Sequence, residues 1–141
     1  MNNTLNKFNV IHGGIAAAYH DAALKMGLSN SEMDILYIIC CEGNGINQSV
    51  IYKQTEITKS TINSALHKMQ SKGLLELKSG EGRNVKVFLT STGEELMSKT
   101  AKCIIDKESE IFDSWTKREC ETFIALSQKY LDGLKKKVSE L

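Results

Sequence analysis

Between Lys59 and Lys68 the chain places hydrogen-bonding and basic side chains at helical spacing. Ser60, Thr61, Asn63, Ser64 and His67 can all donate or accept hydrogen bonds. At 100° per residue, Ser60, Ser64, His67 and Ser71 fall on one side, opposite Ile62, Ala65, Leu66 and Met69, with Lys59, Asn63 and Lys68 flanking the polar side. Such a face suits the base edges of a DNA major groove, which is wide enough to admit a helix. Asn63 has the amide needed for a bidentate pair with adenine, a contact worth about 1–3 kcal/mol of discrimination. Lys59 and Lys68 suit phosphates, which fix register without reading sequence. Further along, Arg83 sits in the Gly-rich stretch SGEGRN, from which a long, permanently charged side chain could enter a narrow, negative minor groove.

The charge distribution agrees with a phosphate-facing module. Residues 47–90 carry seven basic and three acidic side chains, an excess of +4 in a chain whose net charge is +1. The remainder is therefore acidic, which limits non-specific adhesion. Other classes of chemistry find little support. There is no G-x-S-x-G, no P-loop and no carboxylate pair in a Gly-rich loop, so no catalytic residue is assigned. Cys40, Cys41, Cys103 and Cys120 lack zinc-site or disulfide-framework spacing and read as reduced, buried thiols. Among His12, His20 and His67, only His12 and His20 could share a helix face, so neither a metal nor another cofactor is expected. The longest apolar run, residues 35–41, is too short for a bilayer, and the N-terminus lacks a signal-peptide pattern, which predicts a cytoplasmic chain with no membrane partner.

Positioning the polar face requires several elements. Leu5 to Met26 carry an apolar stripe, Phe8, Ile11, Ile15, Tyr19, Ala22 and Met26, that Gly27 terminates. Ser29 and Glu32 form an S-x-x-E capping box for a second helix through Met33, Leu36, Tyr37 and Cys40, closed by Gly43 and Gly45. Asn47 and Thr58 are the N-caps expected for two short helices joined by a tight turn, the second being the polar-faced one. The backbone N–H groups at Asn47, Gln48 and Ser49 could meet a phosphate. Gly73 stops that helix, and Leu74–Lys78 and Val85–Leu89 read as a two-stranded ribbon around SGEGRN. Ser91 and Glu94 predict a long helix to about Phe112 with Leu96, Thr100, Cys103, Ile104 and Ile111 inward. Thr116 and Glu119 open a last helix with Ile124, Leu131 and Val138 seven apart, flanked by Phe123, Tyr130, Leu134 and Leu141. One small domain can hardly cover the long stripes at both ends, so the terminal helices are expected to pair across a two-fold. The fold class is mainly α with a small β-wing: one domain over 1–141, with a winged helix-turn-helix at 28–95 and dimerisation helices at 1–27 and 96–141.

Three ordered segments, GLSNSEMDILYII, ITKSTINSALHKMQSKGLLEL and EGRNVKVFLTSTGEELM, resemble the MarR (multiple antibiotic resistance regulator) family of bacterial transcription factors. They are similar to that family's GLT-leading helix, its recognition helix ending in K-G-L, and its wing running into L-T-x-x-G. The resemblance implies a homodimer that binds double-stranded DNA and represses or activates promoters. It also implies release by a small phenolic or lipophilic ligand, or by an oxidant, near the joint between the two regions. Tyr19, Met26, Tyr37 and Trp115 are candidate linings for such a ligand, although stripes of this kind are more often core. The family's wing typically reads D-x-R, here Glu81, Gly82 and Arg83, which carries the minor-groove arginine over to Arg83. Ser64 stands where relatives often hold arginine. The competing reading is a winged-helix protein-interaction module, which the local +4 charge and the polar face disfavour.

Overall fold

A computed structural model of the chain describes residues 2–82 and 84–141. Among the described residues, seven helices and three short strands follow in the order α1 (Asn3–Lys25), α2 (Asn30–Glu42), β1 (Ile46–Asn47), α3 (Gln48–Gln54), α4 (Lys59–Ser71), β2 (Leu75–Ser79), β3 (Val85–Leu89), α5 (Ser91–Lys99), α6 (Ala101–Asp113) and α7 (Lys117–Ser139). The mainly helical fold with a small antiparallel wing is the one the sequence predicts. The chain divides into two compact units, Met1–Ile105 and Asp106–Leu141.

The first unit is organised around α2. Its Ser29–Glu32 capping box forms in both directions, the Ser29 Oγ accepting from Glu32 N and Glu32 Oε1 from Ser29 N. This satisfies two orphan donors and fixes the helix start. Met33, Ile35, Leu36, Ile38 and Ile39 are all buried. They pack with Ile51, Ile62, Leu66 and Met69 of the two short helices, with Leu75, Val87 and Leu89 of the sheet, and with Ala23 and Ala101. Full burial of a large aliphatic side chain contributes roughly 1.5–3 kcal/mol, so this cluster holds α3, α4 and the wing on one support.

The ribbon has a third strand that the sequence reading missed. The sheet order is β1-β3-β2, with Ile46 opposite Val87 and Leu75 opposite Leu89. A two-residue strand has no periodicity to detect. Gly45, read as part of a helix stop, instead turns the chain into β1 at φ +84, its N–H bonded to the Val87 carbonyl. Asn44 Oδ1 accepts from Leu89 N at 2.8 Å and ties this turn to β3.

Further expectations are corrected. The helix after the wing is capped by Thr90, whose Oγ1 accepts from Gly93 N, not by Ser91. It is also interrupted at Thr100, where the backbone reaches φ −124 and ψ −90 before α6 begins. Thr100 is buried, and its hydroxyl donates back to the Leu96 carbonyl at 2.7 Å, a side-chain bond that bends helices. Of the positions expected inward, Leu96 and Ile104 pack on the core, whereas Cys103 and Ile111 are exposed. The thiols are likewise not uniformly buried: Cys41 and Cys103 are exposed, Cys40 and Cys120 half-buried. An apolar stripe identifies a helix face, but the fold covers only part of that face.

The second unit contains most of α6 and all of α7. Thr116 and Glu119 form a reciprocal capping box at the start of α7. Trp115 packs edge-on against Phe112 and Phe123, with ring centroids 5.1 and 5.4 Å apart, and so pins the α6–α7 turn. Along α7, all of it described, no residue is buried, and Phe123, Ile124, Leu126, Tyr130, Leu131, Leu134 and Val138 are all exposed. The α1 stripe of the first unit behaves alike, with Leu5, Phe8, Ile11, Ile15 and Tyr19 exposed.

Candidate nucleic-acid interface

Helix α4 is held from below and at its C-terminal end. Ile62, Leu66 and Met69 are each 0% exposed, whereas Lys59, Ser60, Thr61, Asn63, Ser64, His67 and Lys68 all face solvent. The division of faces read from the sequence is present, because a period of 3.6 residues with this polarity pattern can bury only one side. At its start, Thr58 and, for α3, Asn47 occupy the N-cap positions, but neither makes a side-chain capping bond. Thr58 Oγ1 donates instead to Thr61 Oγ1 at 2.9 Å, and the Asn47 Oδ1 is buried without a partner among the described residues.

The end of α4 is a Schellman closure. Gly73 adopts φ +74, its N–H bonds the Gln70 carbonyl, and Leu74 N bonds the Met69 carbonyl. From there the wing is fastened back to the helix at three points. Gln70 Oε1 accepts from Leu77 N at 2.8 Å. The Thr90 hydroxyl donates to the Gly73 carbonyl at 2.6 Å, and Thr90 N donates to the Leu74 carbonyl at 3.0 Å. Gly93 completes the joint: a Cβ there would collide with the Leu74 carbonyl oxygen, so α5 can approach the strand only because residue 93 has no side chain. The residues of the L-T-x-x-G segment thus join the end of α4, the wing and α5.

A groove of about 640 Å³ opens between the starts of α3 and α4 and the tip end of strand β3. It brings together Asn47, Gln48, Ser49, Lys59, Ser60 and Asn63. Thr61, Ser64, His67 and Lys68 are exposed but do not line it. Arg83 lies outside the described residues, while its neighbours form the hairpin tip: Gly82 at φ +67, and Gly80 N bonded to the Asn84 carbonyl at 2.6 Å. The groove also includes Tyr52, Asn84 and Val85, which the sequence reading did not single out. The Lys59 ammonium stands 5.1 Å from the Tyr52 ring centroid, and burial raises the Tyr52 hydroxyl pKa above its usual value. No local signal marks Tyr52, because its role depends on α3 and α4 meeting in space.

A second cavity, about 430 Å³, lies between α1, α2 and the turn before α4. His12 and His20 both line it, as do Tyr19 and Tyr37, two of the four residues considered for a ligand. Met26 packs against the core instead, and Trp115 is engaged with Phe112 and Phe123. Among the described residues no group of three His, Cys, Asp or Glu side chains could hold a metal ion, and no helix is long and apolar enough to cross a membrane.

A helix-turn-helix seated on a shared core, with a three-stranded wing fastened to the recognition helix, defines a winged helix-turn-helix protein. Residues 26–83, which contain the helix-turn-helix and most of the wing hairpin, match the model of the MarR family. Over that segment the chain is similar to the MarR family. Solved structures agree on the fold. A MarR family regulator from Neisseria meningitidis superposes with a TM-score of 0.85 at 19% identity, covering 99% of both chains. One from Silicibacter pomeroyi gives 0.74 at 23% identity over 93% of this chain and 89% of that one. MepR of Staphylococcus aureus, solved as a DNA complex, gives 0.69 at 19% identity over 95% and 98%. Among curated proteins, nothing matches the sequence.

Proposed function

We propose that this chain acts as a homodimeric repressor that binds a pseudo-palindromic promoter site and is released by a small molecule. The observation that carries the reading is the exposed polar face of α4, bordering a groove shared with α3 and the wing. In this reading Ser60, Asn63, Ser64 and His67 face base edges, with Thr61 beside them, tied locally to Thr58. Lys59 and Lys68 neutralise phosphates, and Arg83 enters the minor groove from the wing tip. The exposed apolar stripes on α1 and α7 support a second copy as their cover, with residues 28–95 serving DNA and the terminal helices serving assembly. The cavity between α1 and α2 supports a ligand site. The same body of relatives supports action on DNA in place of a protein-interaction role.

Fluorescence anisotropy with duplexes enriched from a random pool tests this directly. The enriched motif should be two-fold symmetric with half-sites roughly one helical turn apart, and log K should fall with log salt at about −0.9 per phosphate neutralised. Enrichment of no motif would remove the sequence-specific reading. Tight binding by Arg83→Ala equal to that of wild type, at every salt concentration, would remove the wing contact alone.

A further inference from the structure

The cavity between α1, α2 and the turn before α4 has a chemistry of its own. Two tyrosine rings, Tyr19 and Tyr37, and apolar atoms of Ile15 and Ile57 contribute to its lining together with the carboxylates of Asp34 and Glu56, and no Lys or Arg is among the described lining residues. Two histidines, His12 and His20, add polar ring edges, and the His20 ring stands 3.0 Å from the Asn30 amide oxygen. The site therefore presents formal negative charge and aromatic faces in a partly desolvated cleft.

We infer that this cavity selects an aromatic organic cation over the anionic phenolic acids that the family resemblance first suggests. The inference rests on the proposal that the cavity is the ligand site. A cation gains from both carboxylates and from the ring faces. A carboxylate ligand of the same size meets two like charges, with only the His12 and His20 ring edges, and no Lys or Arg among the described lining residues, to offset them. Burial raises the Asp34 pKa above its ordinary value, so a neighbouring positive charge favours the carboxylate form that desolvation disfavours.

Asp34 also connects the cavity to the DNA-facing turn. Its Oδ2 accepts from Thr55 Oγ1 at 2.7 Å, and the same hydroxyl accepts from Ile57 N at 3.0 Å, one residue before the Thr58 N-cap of α4. A cation drawn to Asp34 competes with Thr55 for that carboxylate and loosens the turn that aims the recognition helix. Ligand binding and DNA binding are then antagonistic through one shared side chain.

Benzyltrimethylammonium and phenylacetate, which share a ring and differ in charge, are suitable probes for calorimetry on the full chain. The cation should bind about tenfold or more tightly than the anion, in line with paired charge and cation–π attraction. A double variant, Asp34→Asn with Glu56→Gln, should bring the two probes within about threefold, since the amide placed at position 34 still offers Thr55 an oxygen and keeps the fold. Added cation should weaken operator binding by wild type and not by the double variant. Equal or stronger binding of phenylacetate, a preserved cation preference in the double variant, or binding of neither probe would overturn the inference. Operator binding without ligand, measured in the same samples, reports separately on the DNA reading.

Discussion

Helices α4 and α7 are both amphipathic, yet the protomer treats them oppositely. On α4 three apolar residues are completely buried and the polar side is presented. On α7 seven large apolar side chains stay open along 23 residues, none of them buried. The difference lies in what each apolar face meets. Helix α4 lies against α2 and the sheet, which cover its apolar face, whereas the α7 stripe stays exposed. Stripes alike in sequence are therefore covered in one place and left exposed in another, and under the proposed dimer the two should fail differently when disturbed.

The largest effect is expected on the α4 side. Gly93→Ala drives a Cβ into the Leu74 carbonyl at the joint between wing and α5. It should cost about 3 kcal/mol or more of stability, lowering the urea midpoint and abolishing operator binding together. An unchanged midpoint would show that α5 can shift at no cost. A polar change on α7 should separate those effects. Leu131→Glu with Ile124→Glu should leave the circular dichroism of the winged region intact, yet convert dimer to monomer in sedimentation velocity. Operator affinity should fall about 100-fold as the two half-sites lose their linkage. Retention of the dimer would assign that stripe another role.

Smaller effects belong to single contacts. Asn63→Ala should cost about 1–3 kcal/mol of discrimination at one base position per half-site, read by competition with single-base variants of the enriched motif, with little change in melting temperature. The smallest is a pH effect at Asp34. Burial raises its pKa, the Thr55 hydrogen bond lowers it, and the charge of Glu56 raises it, for a net upward shift from 3.8. The folded chain then holds a proton that the unfolded chain has released, so stability falls as pH rises from 3.8 through the folded value. Asp34→Asn should flatten that part of the curve, measured by thermal melts from about pH 4 to about pH 7. An unaltered slope would place the titration elsewhere.

The candidate site was legible wherever its signal is local. Polarity at helical spacing separated Ile62, Leu66 and Met69 from Ser60, Asn63, Ser64 and His67. The Ser29–Glu32 and Thr116–Glu119 boxes were visible as S/T-x-x-E. The parts that escaped depend on meetings between distant residues: β1 on β3, Lys59 over Tyr52, Thr90 against Gly73, and the bend at Thr100. No pattern in the neighbouring sequence distinguishes a threonine that caps from one that breaks a helix, because the difference is which carbonyl or N–H lies within reach.

By itself, then, the sequence determined most of the helices, their polar and apolar faces, the hairpin and the resemblance of the winged segment to the MarR family. Each follows from periodicity, capping chemistry and glycine placement acting over a few residues. Only the tertiary structure decided which apolar faces are covered, how the wing is fastened to α4, and that Asp34 joins a cavity to the recognition-helix turn. Those are long-range facts, fixed by the shared core around α2 and by close approaches such as Gly93 against Leu74, which no short window of sequence contains.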